Sequence, residues 1–342
     1  MEGSWLPAGA VAIHSRSTAT RRSLLLLNMK LDSTATLISR QPLSSGVTGL
    51  IWGLLGVLAF SFTVPFTRIA VESGHLQPLF VGAGRSVIAA MLAVAVLWST
   101  GQKLPTRSQW WRLLVVAGGV IAGFPLLTSF AMTTAPASHG AVVIAILPAV
   151  TAAAAVLRTR ERPSARFWIA AGSGALAALA FAALQGGGLG SLHGADWLLF
   201  GAVLACAIGY AEGGLLSREL GSWQTISWAL VLASPVMITL TTVSALQQPP
   251  TATFSEWAAF AYLGVVSMFL GFIAWYRGLA IGPMAQVSQV QLAQPVMTIC
   301  WAGMLLHEQI GWPTVVGGCA VIACALLAVR SRNQHMRQDG AS

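Results

Sequence analysis

The chain has 342 residues, 56% of them hydrophobic and 8% charged, with a formal net charge of +9 and a mean hydropathy of +0.73. A soluble domain carries about a quarter charged residues, so this composition excludes one and makes the bilayer the expected solvent. A nucleic-acid partner is excluded as the source of the positive charge: the basic residues, Arg in all but two of 19 cases, are scattered along the chain instead of gathered with aromatics on one face.

Residues 1–47 carry Arg16, Arg21, Arg22, Lys30 and Arg40 among many Ser and Thr, and their one apolar run, Leu24 to Leu27, is too short to span. They read as a flexible cytoplasmic tail with no secretory signal, which needs about seven to fifteen apolar residues before a cleavage site. Met29 offers an alternative start.

Apolar stretches of about 20 residues, the length that crosses the hydrocarbon core, then follow one another. The cores of the first five run Gly49 to Ile69, Leu79 to Trp98, Leu113 to Met132, Ala137 to Leu157 and Phe167 to Leu184. The second five run Trp197 to Leu216, Ile226 to Leu246, Trp257 to Leu279, Ala285 to Leu306 and Trp312 to Val329. Each is predicted to be a helix, because a backbone in lipid must satisfy its own hydrogen bonds.

Arg and Lys concentrate in the loops after the second and fourth stretches (Lys103, Arg107, Arg112, then Arg158, Arg160, Arg162, Arg166), at Arg218 and at Arg330, Arg332 and Arg337. Basic residues stay on the cytoplasmic side, which predicts a multi-pass protein of the inner (cytoplasmic) membrane with both termini in the cytoplasm.

An internal repeat supports the count. Pro136, Pro148 and Glu161 recur as Pro283, Pro295 and Glu308 at a constant offset of 147, which also superposes Trp110 on Trp257; an offset of 145 places Trp52 and Gly56 on Trp197 and Gly201. Five helices per copy is an odd number, so the second copy enters the membrane from the opposite side. The fold class is therefore all-α integral membrane, with ten transmembrane helices in two inverted five-helix repeats. The domains are residues 48–186 and 194–330, with a cytoplasmic tail over 331–342. Inverted repeats are common in carriers whose halves rock about a central site.

The segments "VPFTRIAVESGHLQPLFVGAGRSVIAAM", "APASHGAVVIAILPAV" and "GPMAQVSQVQLAQPVM" resemble the EamA-like ten-helix members of the drug/metabolite transporter superfamily over about residues 49–330. Arg85 falls where the family has its recurrent second-helix arginine. The resemblance implies a secondary transporter that exports small metabolites or drugs. The rival classes are a membrane-embedded transferase acting on lipid-linked substrates, for which clustered acidic or His residues at loop mouths are missing, and a channel or sensor.

Ionisable residues inside spans are expensive and are the first functional candidates. Glu212, beside Tyr210 and the Gly213–Gly214 pair, either lines the cavity and binds a proton or cationic group, or snorkels to the cytoplasmic end about a turn and a half away. Arg85 either holds a substrate carboxylate or phosphate through its planar fork or pairs with a neighbouring helix. The ninth helix has a heavy polar load in Gln286, Ser288, Gln289, Gln291 and Gln294, of which Gln289, Gln291 and Gln294 are substrate-binding candidates. Pro148 and Pro295 each free a mid-helix carbonyl and are the kink or gating candidates. His139 occupies the repeat position of Gln286, Trp275, Tyr276 and Trp301 offer stacking surfaces, and Arg68 and Arg277 read as interfacial.

The four cysteines, Cys206, Cys300, Cys319 and Cys324, lie in apolar runs with no metal-ligand spacing, so neither a metal nor a cofactor is expected. A GxxxxGK[ST] phosphate loop is missing, so coupling comes from an ion gradient such as protons or from exchange. The expected partners are a small-molecule substrate and the lipid bilayer; a homodimer is compatible with the pattern.

Overall fold

The computed structural model describes residues 45–159, 165–185, 193–281, 287 and 290–339. The predicted tail over 1–44, Glu161, and Gln286, Ser288 and Gln289 of the ninth helix lie outside the described residues.

Every element among the described residues is helical. The helices are α1 (Val47–Val71), α2 (Pro78–Thr100), α3 (Arg107–Ala131), α4 (Ala137–Arg158), α5 (Ala165–Gln185), α6 (Gly194–Leu220), α7 (Ser222–Gln247), α8 (Phe254–Ile281), α9 (Gln294–Leu305) and α10 (Trp312–Asp339). Seven of them, α1 to α4 and α6 to α8, are long and apolar enough over the described residues to cross a membrane.

Local chemistry sets several boundaries. Pro78 occupies the first turn of α2, where a missing N–H costs nothing, and Gly101 ends that helix in the left-handed region at φ 58°. Thr253 and Glu256 cap the start of α8 reciprocally.

The neighbours come in repeat-related pairs. α3 packs on α6 as α8 packs on α1; α4 packs on α6 as α9 packs on α1; α2 lies along α7, α5 along α10, and α4 meets α9. Swapping the two sets of five helices maps this pattern onto itself, as an inverted duplication requires.

Small residues allow the closest approach, which is how helices gain packing energy where no water drives them together. A side chain on Gly278 of α8 would meet the backbone nitrogen of Gly53 in α1 at 2.7 Å, and one on Gly56 would meet that of Trp275 at 2.9 Å.

Four irregular stretches interrupt the helices, again in equivalent pairs. α3 widens into a π-helical turn over Ala117–Gly123 and α8 does so over Leu263–Gly271. α4 divides into Ala137–Ile144 and Leu147–Thr159, and α9 is preceded by a tight 3-10 turn over Gln291–Ala293. The break in α4 falls just before Pro148 and the tight turn just before Pro295, where proline removes a hydrogen bond and crowds the preceding turn.

Candidate functional site

The two prolines face one another. Pro148 and Pro295, with Val64 of α1, Ala141 of α4, Thr298 of α9 and the two glutamines, line a narrow central cavity of about 10 Å³. That volume suffices for about one water molecule. Gln291 and Gln294 are buried, and Nε2 of Gln291 and Oε1 of Gln294 have no hydrogen-bond partner among the described residues. A buried amide atom left unpaired costs about 1–3 kcal/mol, so one on each glutamine, a donor and an acceptor at the meeting of the broken helices, marks a place where a partner completes them. Thr298 donates to the Ser61 carbonyl at 2.9 Å, and Trp301 donates to the Ser61 hydroxyl at 3.0 Å while stacking on Phe62. These contacts fix α9 against α1.

A second buried group lies among α1, α2, α6 and α8. Tyr210 packs with Phe60, Phe272 and Trp275, its ring 5.9 Å from that of Trp275. Tyr276 sits 5.6 Å from Phe272, its hydroxyl against the backbone of Gly213. Arg85 is 1% exposed and donates from Nη2 to the Thr128 hydroxyl at 3.1 Å. The interhelical pair considered from the sequence would need a carboxylate, and among the described residues Arg85 has none; its partner is a neutral hydroxyl.

Glu212 sits in a cluster of ion pairs. Its carboxylate, 6% exposed, is held by Arg112 of α3 and by Arg158 of α4 at 2.6 Å; Arg112 also reaches Glu219 at 2.6 Å. The cause is that α3 begins, and α4 and α6 end, at one end of the bundle, bringing two guanidinium groups to the acid. In the sequence Arg112 and Arg158 look like ordinary basic loop residues, and no spacing ties either of them to Glu212. The result is a clamp across the two repeats at the Arg-rich end.

At the opposite end, a vestibule of about 470 Å³ is lined by His139, His193, Asp196, Glu308 and neighbouring Thr and Ser. His139 meets Asp196 at 2.7 Å, joining α4 to α6 across the repeats. Glu308 accepts from the backbone N–H groups of Ala137 and Ser138 at 2.7 and 2.9 Å, a carboxylate at the positive end of α4. The preceding residue, His307, takes a left-handed φ of 54°, which aims the chain into this contact. Nearby, Glu256 binds Ser73 and lies 3.1 Å from His75. Arg277 covers the ring of Trp52 at 4.9 Å, and Arg68 bridges Glu72 and the Met132 carbonyl, both near helix ends. The described residues contain no group of three or more His, Cys, Asp or Glu suited to a metal.

A bundle of apolar helices in two related sets, with broken helices and orphaned amides at its middle, defines a multi-pass membrane protein with a transporter architecture. The chain belongs to the EamA-like transporter family, whose model matches it twice, over residues 47–183 and 193–330. It is 43% identical over 282 residues to the uncharacterized transporter YdeK of Bacillus subtilis, covering 82% of this chain and 97% of that one. An uncharacterized transporter of Archaeoglobus fulgidus is 22% identical over 309 residues, 86% of this chain and 99% of its own. A solved crystal structure superposes with a TM-score of 0.58 at 16% identity, over 83% of this chain and 99% of the other, a likeness of fold alone.

Proposed function

We propose that this membrane transporter is a secondary carrier of small metabolites or drugs in the cytoplasmic membrane, both termini inside, working outward by alternating access between its repeats. The observation that carries the reading is the placement of the Pro-broken helices. One from each repeat meets the other at unpaired Gln291 and Gln294, between a clamped Arg-rich end and an open vestibule. A carrier needs a central site with a gate on each side, and a proline break lets half of a helix swing without unfolding the rest.

The Arg-rich end is assigned to the cytoplasm because basic residues in short loops are retained there. The outward direction follows from the resemblance set out above. In this reading Glu212 is a gate residue instead of a proton carrier, because two arginines hold its carboxylate. The His139–Asp196 and Glu308 contacts are the corresponding ties at the vestibule end.

The test needs no known substrate. A single cysteine at Ala141 in an otherwise cysteine-free chain is offered an impermeant thiol reagent from either side of sealed vesicles. A carrier exposes the position to both sides, one at a time, and a bulky reagent from one side blocks labelling from the other. Labelling from one side only, under all conditions, refutes alternating access.

A further inference from the structure

The cluster around Arg85 is not explained by the gates or by the glutamine cavity. Arg85 is 1% exposed and, among the described residues, has one neutral hydrogen-bond partner in Thr128 and leaves its Nε without any. An uncompensated buried cation is among the most expensive groups a helix bundle can hold, costing several kcal/mol. Thr128, the partner of Arg85, belongs to α3, which packs on α6; a side chain on Gly123 of α3 would meet Ala205 of α6 at 2.8 Å, five residues before Tyr210, so this contact brings Arg85 towards the aromatic group of α6 and α8. In that group Trp275 Nε1 and Tyr276 Oη are also buried without partners.

Chemistry narrows what would complete this set. Arg Nε–H and indole N–H are donors only, the phenol O–H can donate too, and among the described residues no carboxylate pairs with the guanidinium. A cationic solute would meet repulsion here. An anionic group would neutralise the guanidinium and accept its parallel N–H bonds, the pairing for which a planar fork is suited.

The geometry points to Arg85 as the anchor of a buried site for the anionic group of a small apolar solute, whose body packs against Tyr210, Trp275 and Tyr276. The site is distinct from the glutamine cavity and rests on the carrier reading above for its role in transport, though its binding chemistry stands independently.

The experiment uses the purified full chain in lipid nanodiscs, followed by thermal melting and tryptophan fluorescence, with phenylacetate, phenyl phosphate and phenethylamine as probes. The carboxylate or the phosphate raises the melting temperature saturably, and the amine does not; the stronger of the two anions identifies the head group. Arg85→Met weakens anion binding by about tenfold or more, the loss of one charge-assisted pair. It also raises the melting temperature when no solute is added, because it removes an uncompensated charge.

A purely structural arginine gives the opposite result, a lower melting temperature or no folded protein, and either outcome overturns the proposal. So does stabilisation by phenethylamine equal to that by phenylacetate, or no response to either anion at millimolar concentration. Arg85→Lys, which keeps the charge and loses the fork, is the second variant: it binds the anions more weakly, and affinity equal to the parent overturns the role of the fork. Anion binding in a chain whose cavity opens to one side only would leave this site standing and refute the carrier cycle.

Discussion

Replacing Glu212 by Gln tests the clamp at the Arg-rich end. The carboxylate is 6% exposed, while its partners Arg112 and Arg158 are 17% and 52% exposed. Removing one partner of a fully buried pair costs about 3–5 kcal/mol, and an exposed pair is worth about 0–1 kcal/mol. Arg112 retains Glu219 and Arg158 reaches water, so the loss falls between these limits, at about 2 kcal/mol. The clamp joins helices of opposite repeats; in the proposed carrier cycle it breaks when that end opens, so the whole loss falls on the closed state. At about 1.4 kcal/mol per factor of ten, the population open at the Arg-rich end rises about 30-fold. The assay is the labelling rate of Ala141→Cys from the Arg-rich side, with Glu219→Gln, whose side chain is 52% exposed, as the control expected to change it little. A rate within about threefold of the parent in Glu212→Gln, a loss under about 0.7 kcal/mol, refutes the gate, since an exposed pair alone is worth that much.

Further outcomes follow from other residues. Gln294→Leu replaces a buried side chain whose Oε1 is unpaired among the described residues by an apolar one of similar size and raises the melting temperature by a few degrees, about 1 kcal/mol; a lower melting temperature contradicts the orphaned oxygen. Gly278→Val drives a side chain into the Gly53 backbone at 2.7 Å and lowers the yield of folded protein sharply, by about 2 kcal/mol or more; gel filtration of the solubilised variant reads this directly. Pro148→Ala and Pro295→Ala restore a helical hydrogen bond at each break and slow the exchange of Ala141→Cys between the two sides, leaving melting unchanged or higher; unaltered exchange in the double variant removes the breaks from the gating mechanism.

Much of the architecture was legible because the bilayer imposes a one-dimensional rule: a polar backbone in lipid must be helical and of a set length. Pro148 and Pro295 were legible for a related reason, since proline acts on its own helix whatever surrounds it. The partners of Glu212 were not, because Arg112 and Arg158 stand 100 and 54 residues away and meet it only after three helices have packed. Arg85 shows the limit from the other side. Its burial was legible, but the identity of its partner depended on which residue of α3 faced it, and that proved to be Thr128. The π-helical turns of α3 and α8 left a fainter trace, the glycines Gly118, Gly119, Gly123, Gly264 and Gly271 within them. Glu308 was visible as a repeat partner of Glu161, yet its use as a cap on α4 requires the loop after α9 to fold back over another repeat.

Alternating access requires the two ends of the bundle to move in opposition, and paired distance measurements test this most directly. Spin labels at Ser108 and Arg218 report on the Arg-rich end, and labels at Thr134 and Gln309 on the vestibule, all exposed positions. Glu212→Gln should lengthen the first distance and shorten the second, with the two distributions changing in the same proportion. Opening at the Arg-rich end with the vestibule unchanged would contradict a carrier and describe a channel instead.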